Sequence, residues 1–458
     1  MTDSMNLISA QISFLEAHLA LIHIPIELYA LSLQPILRLL FGEDHDEDAA
    51  RISWTNHHDF LNISITAIEC SIICSRHLAE RFMRPIAEVL NRLYANNKKG
   101  KSKGEIQIGN EDYTVIQVDG QGLDAGQRVL ELTSPLAMAG ISIFFITTYF
   151  SDYILVPFRS RGTVTRALQQ RGFVFSKTAD AFVSQLSPQS PTLLQGGGVR
   201  PPPSPFYDNS APTTPPAKDI PELQLRTFRK LKRNNISPFV DGSIRLANCA
   251  GSREYNQASE ERLKNDLLQV LLATAAPTGT GTSTSRQQPA ATISPTTGLG
   301  LGTTSSPTPT TEAQPPTAAE LDFGAKFLSL TITSGEPISI LLEHRLLDRL
   351  GHSLLGAKSA DDALIPITLD LRDLPLDATG IVCGVAGRLA QGSTDLPDDE
   401  VVFAETAETH APANDEPVEI SFLSTARAGT VIVRASQLEK ALEALDYGMK
   451  RVGDADRP

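Results

Sequence analysis

Cys70, Cys74 and His77 form a small group of side chains that could hold a metal ion. A structural zinc site uses four ligands, and its cysteines usually come in Cys-x-x-Cys pairs, which this group lacks. With Cys249 and Cys383, the chain has 4 cysteines in 458 residues, too few and too scattered for a disulfide framework. We therefore expect four reduced core cysteines, and we predict no metal and no cofactor.

The sequence carries none of the motifs of common catalytic sites. It has no HExxH zinc motif, Walker phosphate loop, nucleophile elbow or Ser-His-Asp signature. The glycine-rich run Gly298–Gly302 follows no predicted strand and lies among prolines and threonines, which indicates low complexity. We predict that the protein is not an enzyme.

The run Arg226–Arg233 (RTFRKLKR) is strongly basic in an otherwise acidic chain. Its composition fits a nuclear signal or docking patch, or a solvated helix face, and we favour the solvated face. Asp and Glu number 53 against 40 Lys and Arg, which gives a net charge of -13. This balance disfavours nucleic acid and anionic lipid as partners and favours a basic partner or a neutral ligand.

The longest apolar stretch, residues 19–41, is interrupted by prolines and charged residues. It therefore differs from a membrane span, which needs about 20 largely apolar residues. The N-terminal residues have no basic region and no small-residue cleavage site of a secretory signal. We predict a cytoplasmic protein without a membrane segment.

The chain consists of two halves that repeat one another, and these repeats must position any site. Each half has the order strand, helix, strand, strand, helix twice over, with alternating, β-branched strands. This is the split βαβ, or ferredoxin-like, plan. The matching segments are Phe60–Thr66 with Phe327–Thr333, Asp124–Ala137 with Asp377–Ala390, and Ile141–Val156 with Val418–Val433.

We expect an α+β fold of four ferredoxin-like βαββαβ modules with two disordered Pro/Ser/Thr-rich segments. Those segments hold seven Ser-Pro or Thr-Pro pairs, which fit either proline-directed phosphorylation or composition alone. The predicted boundaries are 8–94 for module 1, 106–185 for module 2, 186–222 for a disordered linker, 223–355 for module 3 with a disordered insertion at 275–320, and 362–450 for module 4.

The run Ile141–Val156 (ISIFFITTYFSDYILV), with Thr148-Tyr149-x-x-Asp152 between two strands, resembles the tandem ACT-domain proteins of the CASTOR type. Those are cytosolic arginine sensors upstream of TOR complex signalling, and the resemblance covers nearly all of the ordered chain. An ACT module is a regulatory ferredoxin-like fold that binds amino acids at module interfaces. The resemblance thus implies an amino-acid-sensing regulator with an amino acid ligand, a signalling protein partner and a homodimer as one assembly.

The resemblance also implies a ligand site between modules 2 and 4. The family's acidic residue, which meets the cationic side of the ligand, falls at Gly429 here, so we expect a neutral amino acid rather than arginine. A pseudo-symmetric pocket built from Gly126, Asp152, Glu419 and Ile420 is the alternative. The implied ligand-binding residues are Ser142, Ile143, Thr379, Gly380, Ile381, Thr425 and Gly429.

Each of these residues also has a structural interpretation. Ser142 and Ile143 fit ordinary strand positions, and Gly380 fits a tight packing contact of a helix. Two other functions stay open as well, namely a scaffold whose modules bind no ligand and a regulatory subunit of an amino-acid biosynthetic enzyme.

Overall fold

The computed structural model describes residues 11–42, 53–95, 104–119, 125–175, 217–251, 257–275, 326–350, 354–356, 363–391 and 418–455. The two segments expected to be disordered lie outside these ranges, apart from residues 217–222 and 275. The run Gly298–Gly302 and the Ser-Pro and Thr-Pro pairs also lie outside them. The module boundaries stay predictions.

The strands follow the apolar pattern of the sequence. In the first part of β1, buried and exposed residues alternate, whereas residues 19–25 are buried throughout because both faces are covered. The strands are β1 (Gln11–Pro25), β2 (Phe60–Ile65), β3 (Glu69–Ser75), β4 (Gln107–Ile108), β5 (Tyr113–Asp119), β6 (Phe144–Thr147), β7 (Ser151–Pro157), β8 (Val174–Phe175), β9 (Leu246–Gly251), β10 (Leu328–Thr333), β11 (Ser339–Glu343), β12 (Leu354–Gly356), β13 (Leu364–Asp370), β14 (Ile420–Ser424) and β15 (Ala428–Arg434).

The helices place apolar residues at helical spacing against these strands. A π-helical turn, Ala79–Met83, joins α3 to α4, and a 3-10 helix, His344–Arg349, stands between β11 and β12. The α-helices are α1 (Ile26–Tyr29), α2 (Leu33–Phe41), α3 (Arg76–Leu78), α4 (Arg84–Ala95), α5 (Ala125–Met138), α6 (Arg161–Gln170), α7 (Ile220–Arg233), α8 (Gln257–Ala275), α9 (Ile381–Gln391) and α10 (Leu438–Ala455). Within the described ranges, no helix is long and apolar enough to cross a membrane.

All described strands belong to one sheet, which is antiparallel except where β8 meets β1. Modules 1 and 3 join edge to edge through β2 and β10, and modules 2 and 4 join through β6 and β14. The pairs β1–β5 and β9–β13 connect the two halves of the sheet, and β9 also pairs with β11, so the strand path closes on itself.

The four modules differ in completeness. Modules 1 and 3 have the ferredoxin-like strand orders β4-β1-β3-β2 and β12-β9-β11-β10. In module 2 the last strand, β8, lies on β1 of module 1, and in module 4 the described residues contain no strand after α10. In module 3 the residues 344–349 form a 3-10 helix where we expected a second α-helix. Within the described residues, the predicted βαββαβ plan is therefore complete only in module 1, whose last strand β4 lies in the range that we predicted for module 2.

The core is layered as helices, sheet, sheet and helices. One apolar cluster joins the helices of modules 1 and 3 to their strands, and a second does the same for modules 2 and 4. A third cluster, which includes Phe60, Tyr153 and Leu423, lies between the two facing parts of the sheet. Residues on alternate sides of β3 illustrate this, since Ile72 packs in the first cluster and Ile73 in the third.

The helix α7 corrects the predicted linker, which we extended to residue 222. Asp219 caps the helix by accepting a hydrogen bond from the N–H of Glu222 at 2.8 Å, and Pro221 lies in the first turn. Although we assigned residues from 223 to module 3, α7 packs on α9 and α10 of module 4. Its apolar face is buried there. Of the basic run, Lys232 and Arg233 are exposed, whereas Arg226, Arg229 and Lys230 are half-buried.

Two smaller expectations are also wrong. The matching segment Asp377–Ala390 predicts a helix from Asp377, but the helix begins at Ile381, because Pro375 and the positive φ of Gly380 (82°) hold the preceding residues in turns. The polar sequence around His57 and His58 predicts a solvated pair, yet His58 is buried, with Nε2 3.3 Å from the carbonyl oxygen of Leu40. Burial lowers the pKa of His58 to about 4.

Candidate functional site

The strands β6 and β14 meet where the sequence predicts the ligand site. The N–H of Phe145 donates to Ser424 Oγ at 3.0 Å, and the N–H of Phe422 donates to Thr147 Oγ1 at 3.0 Å. In the sequence repeat Phe145 matches Phe422 and Thr147 matches Ser424, so a pseudo-twofold axis relates the two bonds. Equivalent residues of two repeats therefore build the junction.

Each of these strands leads into a turn that a threonine closes. The N–H of Ser151 donates to Thr148 Oγ1 at 3.3 Å, and the N–H of Ala428 donates to Thr425 Oγ1 at 3.2 Å. β7 and β15 begin at Ser151 and Ala428, so Asp152 and Gly429 lie in strands, directly after the turns.

A hollow of about 50 Å³ lies on module 4 beside this junction, and we call it the module 4 hollow. Its walls are the start of β6, the loop 371–378, the first turn of α9 and the turn from β14 to β15. Phe422 and leucines of the loop make the lining largely apolar. Four of the seven predicted site residues come together here, namely Ile143, Ile381, Thr425 and Gly429.

The other three predicted residues lie outside the lining of the hollow. Ser142 is half-buried beside Ile143. Thr379 and Gly380 lie against α7, where Lys230 Nζ donates to the carbonyl oxygen of Thr379 at 3.2 Å. A Cβ atom on Gly380 would lie 2.8 Å from Leu223 Cδ1, so this contact matches the packing interpretation of Gly380.

Gly429 has room for a side-chain carbon. A Cβ atom there would meet Leu371 Cδ1 at 3.5 Å and the ring of Phe422 at 3.6 Å, which are ordinary van der Waals distances. Packing therefore does not require glycine at this position.

Module 2 has a buried ion pair at the equivalent place. In the repeat Arg128 matches Ile381 and Asp152 matches Gly429, and the Nε–H of Arg128 donates to Asp152 Oδ2. The Asp152 side chain is fully buried, and that of Arg128 is 15% exposed. One repeat thus places a guanidinium on a carboxylate, while the other has an isoleucine and a glycine that leave a hollow.

Burial raises the pKa of Asp152, and the charge of Arg128 and its hydrogen bond offset part of this rise. The alternative, pseudo-symmetric pocket therefore has an arginine of the same chain at its acidic end. Glu419 lies outside it, since its carboxylate is exposed and pairs with Arg434 at 2.7 Å. Ile420 is buried in the core of modules 2 and 4, and Gly126 lies in α5.

Glu69 of module 1 anchors the turn that forms one wall of the hollow. Its fully buried carboxylate accepts hydrogen bonds from the Thr425 hydroxyl and the Arg427 N–H, both at 2.6 Å, and its other oxygen lies 2.5 Å from His23 Nδ1. The N–H of Ala426 donates to Ser71 Oγ at 3.1 Å. A movement of this turn must therefore disturb β3 of module 1.

Module 3 holds the turn of module 2 in a related way. Ser339, which matches Ser71, accepts a hydrogen bond from the Tyr149 N–H at 2.9 Å. Glu336 accepts hydrogen bonds from the hydroxyls of Ser151 and Tyr153, the latter at 2.9 Å. Two glutamates of modules 1 and 3 thus hold the turns of modules 4 and 2.

Sequence reasoning missed Glu69, Arg128 and Arg427. The repeat gave a signal for Arg128, since a charged residue stands there opposite Ile381 in the gapless alignment. Nothing local to Glu69 indicated its role, because its partners Thr425 and Arg427 lie more than 350 residues away, at separations of 356 and 358.

Of the three residues that could hold a metal, the two cysteines are core residues and His77 is exposed. Cys70 and Cys74 share the helix-facing side of β3, and both are fully buried. Burial raises the pKa of the Cys74 thiol to about 12, which disfavours the thiolate that a metal needs. In the part of the chain that the structure describes, no three His, Cys, Asp or Glu residues form a metal-binding group.

Solved structures with some similarity include three bacterial proteins. Protein Atu0741 from Agrobacterium tumefaciens has 17% sequence identity and a TM-score of 0.24, over 36% of this chain and 92% of that chain. Aspartate kinase from Synechocystis has 9% identity and a TM-score of 0.28, over 97% of this chain and 56% of that chain. The regulatory subunit of aspartate kinase from Thermus thermophilus, in ligand-free form, has 14% identity and a TM-score of 0.22, over 34% of this chain and 95% of that chain.

Among curated protein sequences, none matches this chain significantly. Residues 108–170 match a family of domains described as the ACT domain. This stretch contains β5, α5, β6, β7 and α6, and thus the module 2 side of the junction. The chain therefore contains an ACT domain, which forms most of module 2.

Proposed function

We propose that the protein is a non-catalytic, amino-acid-sensing regulator built from four ACT-like modules. Its ligand binds in the module 4 hollow, between modules 2 and 4. The observation that carries the proposal is the convergence of Ile143, Ile381, Thr425 and Gly429 around one hollow at the edge of an ACT domain. ACT domains are regulatory modules, so binding rather than catalysis is the expected activity.

A neutral amino acid with an apolar side chain suits this hollow best. Gly429 stands where module 2 has Asp152, so the hollow lacks that carboxylate for a cationic ligand. A charge-assisted hydrogen bond to such a carboxylate contributes about 1.5 to 3 kcal/mol. The α-carboxylate of the ligand belongs at the first turn of α9, where the helix N-terminus favours negative charge.

The hollow must widen to admit an amino acid. Its 50 Å³ is well below the roughly 300 to 1,000 Å³ of pockets that hold small molecules. The loop 371–378 is the movable wall, held to the turn by the Leu371 N–H donating to the Arg427 carbonyl oxygen at 2.9 Å and by Arg427 Nη1 donating to the Leu374 carbonyl oxygen at 3.3 Å. A small side chain requires the least displacement of this loop.

Ligand binding would act on the rest of the protein through the same turn. The ligand stabilises the widened state, and the turn carries the change to module 1 through Glu69. The output is the regulation of nutrient signalling of the TOR type or of amino acid metabolism, as the resemblance to CASTOR-type proteins implies. The partner is a protein that distinguishes the two states.

A thermal-shift screen of the full chain against the twenty amino acids tests this proposal, with calorimetry on each amino acid that raises the melting temperature. Neutral apolar amino acids should bind more tightly than arginine. Gly429→Asp should reverse this preference, because a carboxylate then faces the ligand. Stabilisation by none of the twenty would favour a scaffold, and copurification with a biosynthetic enzyme would favour the regulatory subunit.

A further inference from the structure

A second, larger cavity lies on the other side of α9, between α7 and the end of α5. Its volume is about 500 Å³, which is within the range of small-molecule pockets. Thr379, two residues before α9, and Ala137 of α5 line it together with α7. It shares no lining residue with the module 4 hollow, so it is a separate site, which we call the basic pocket.

Four cations of α7 line the basic pocket, namely Arg226, Arg229, Lys230 and Arg233. Their spacing of three and four residues places them on one face of the helix. Glu222 pairs with Arg226 at 2.6 Å, and the charge of Asp377 acts on Lys230, so the four cations outnumber these two carboxylates. The group is thus a local excess of positive charge on a protein whose net charge is -13.

Packing of α7 does not explain these cations. The helix is held by its other face, where Phe228 and Leu231 are buried against module 4. Thr227 adds a hydrogen bond from its hydroxyl to the carbonyl oxygen of Gly380 at 3.0 Å. Like charges at i,i+3 and i,i+4 on one helix face repel one another, and a bound anion would reduce this repulsion.

The position of Lys230 points to the same chemistry. Its ammonium is partly withdrawn from water and donates to the Thr379 carbonyl oxygen, and burial lowers its pKa. An anion in the pocket would stabilise the charged form of Lys230, which burial destabilises. Three guanidinium groups and one ammonium exceed what a single carboxylate neutralises, whereas they match a phosphate group, which guanidinium forks bind in bidentate fashion.

We propose that the basic pocket is a binding site for a phosphate-bearing ligand. The phosphate contacts Arg229, Lys230 and Arg233, and the ligand remainder lies against Ala137 and Leu223. This proposal is independent of the amino acid ligand, because the two sites have different walls.

Titration of the full chain with inorganic tripolyphosphate, by calorimetry at an ionic strength of about 0.15 M, tests the proposal. We expect binding that Arg229→Gln with Arg233→Gln weakens by about ten-fold or more, since two charge-assisted contacts are lost. The matched control is Arg92→Gln with Arg166→Gln, two exposed arginines of α4 and α6, which should leave the affinity unchanged. The single variant Arg233→Gln, at an exposed position, should show a smaller loss without affecting the fold.

The phosphate could belong to a free compound or to a phosphorylated residue of this chain. Thr214, in a Thr-Pro pair, precedes the pocket residue Ala217 by three positions in the sequence. A peptide of residues 209–216 with phosphothreonine at 214 therefore forms the second arm, with the unphosphorylated peptide as its control. If the phosphopeptide displaces tripolyphosphate and the unphosphorylated peptide does not, the ligand is the phosphorylated residue of this chain. If tripolyphosphate binds and neither peptide displaces it, the ligand is a free compound. Equal binding by the pocket variant and the native chain, or no binding of either probe, would overturn the proposal.

Discussion

Replacing Arg128 with isoleucine, the residue that module 4 has at the equivalent position, should destabilise the protein in a pH-dependent manner. Without the guanidinium, the fully buried Asp152 can persist in the folded state only when it is protonated. Protonating a carboxyl group at pH 7 against an unfolded-state pKa near 3.9 costs about 4 kcal/mol. At pH 5 the same cost is about 1.5 kcal/mol.

The direction in which the stability of this variant changes with pH follows from the raised pKa of Asp152. In Arg128→Ile, Asp152 is protonated in the folded state, whereas in the unfolded state it ionises above its ordinary pKa. The free energy of unfolding is therefore highest at low pH and falls as the pH rises. Urea unfolding followed by circular dichroism at pH 5 and pH 7 should show that the variant has a lower free energy of unfolding than the native chain. This difference should grow with pH and reach at most about 4 kcal/mol at pH 7. The double variant with Asp152→Asn should show a deficit independent of pH. Equal deficits of Arg128→Ile at both pH values would refute the buried pair.

Three further predictions concern buried contacts elsewhere in the protein, each measured by urea unfolding. Glu69→Ala should lower the free energy of unfolding by roughly 3 to 6 kcal/mol, because it leaves buried donors without an acceptor. Glu69→Gln keeps one acceptor oxygen and should cost less than half of that. Equal losses in the two variants would contradict the hydrogen-bonding role of Glu69. The pKa of His58 is about 4 in the folded state, so below pH 6.5 the unfolded state binds a proton that the folded state does not. The free energy of unfolding should therefore fall by about 3 kcal/mol between pH 6.5 and pH 4, and His58→Gln should remove this pH dependence. Gly384→Ala should cost about 1 to 3 kcal/mol because its Cβ would lie 2.4 Å from Thr227 Oγ1, and Gly242→Ala, with nothing within 4 Å, should be neutral; similar losses at both glycines would contradict the close approach of α7.

The repeat allowed much of the fold to be predicted from sequence. The matched segments Ile141–Val156 and Val418–Val433 do form equivalent strands, and they meet at a pseudo-twofold junction as their alignment suggests. Local pattern was enough here because each strand is short, alternating and bounded by a turn. The completeness of each module could not be predicted, since whether a last strand pairs within its own module depends on contacts distant in sequence.

The helix α7 shows where composition misled the prediction. Its first residues follow a proline-rich stretch and were taken into the linker, although Asp219-x-x-Glu222 is a capping pattern that marks a helix start. Its docking on α9 depends on three glycines at 380, 384 and 387, which allow the two helices to approach closely. Such small residues at helical spacing indicate a close contact but do not identify the partner.

The candidate site was predictable in part from the family resemblance. The resemblance brought Ile143, Ile381, Thr425 and Gly429 to one place, whereas Thr379 and Gly380 contact α7 instead. The size of the hollow could not be read from sequence, because it depends on how the loop 371–378 packs.

The central claim, that a neutral amino acid binds in the module 4 hollow, is tested most directly by transferring the module 2 ion pair into that hollow. Calorimetry would compare the native chain with the double variant Ile381→Arg, Gly429→Asp, using the neutral amino acid that gives the largest thermal shift. The account predicts that the native chain binds it and that the double variant, folded by circular dichroism, does not, because a guanidinium and a carboxylate then fill the site. Unchanged affinity in the folded double variant would contradict the account.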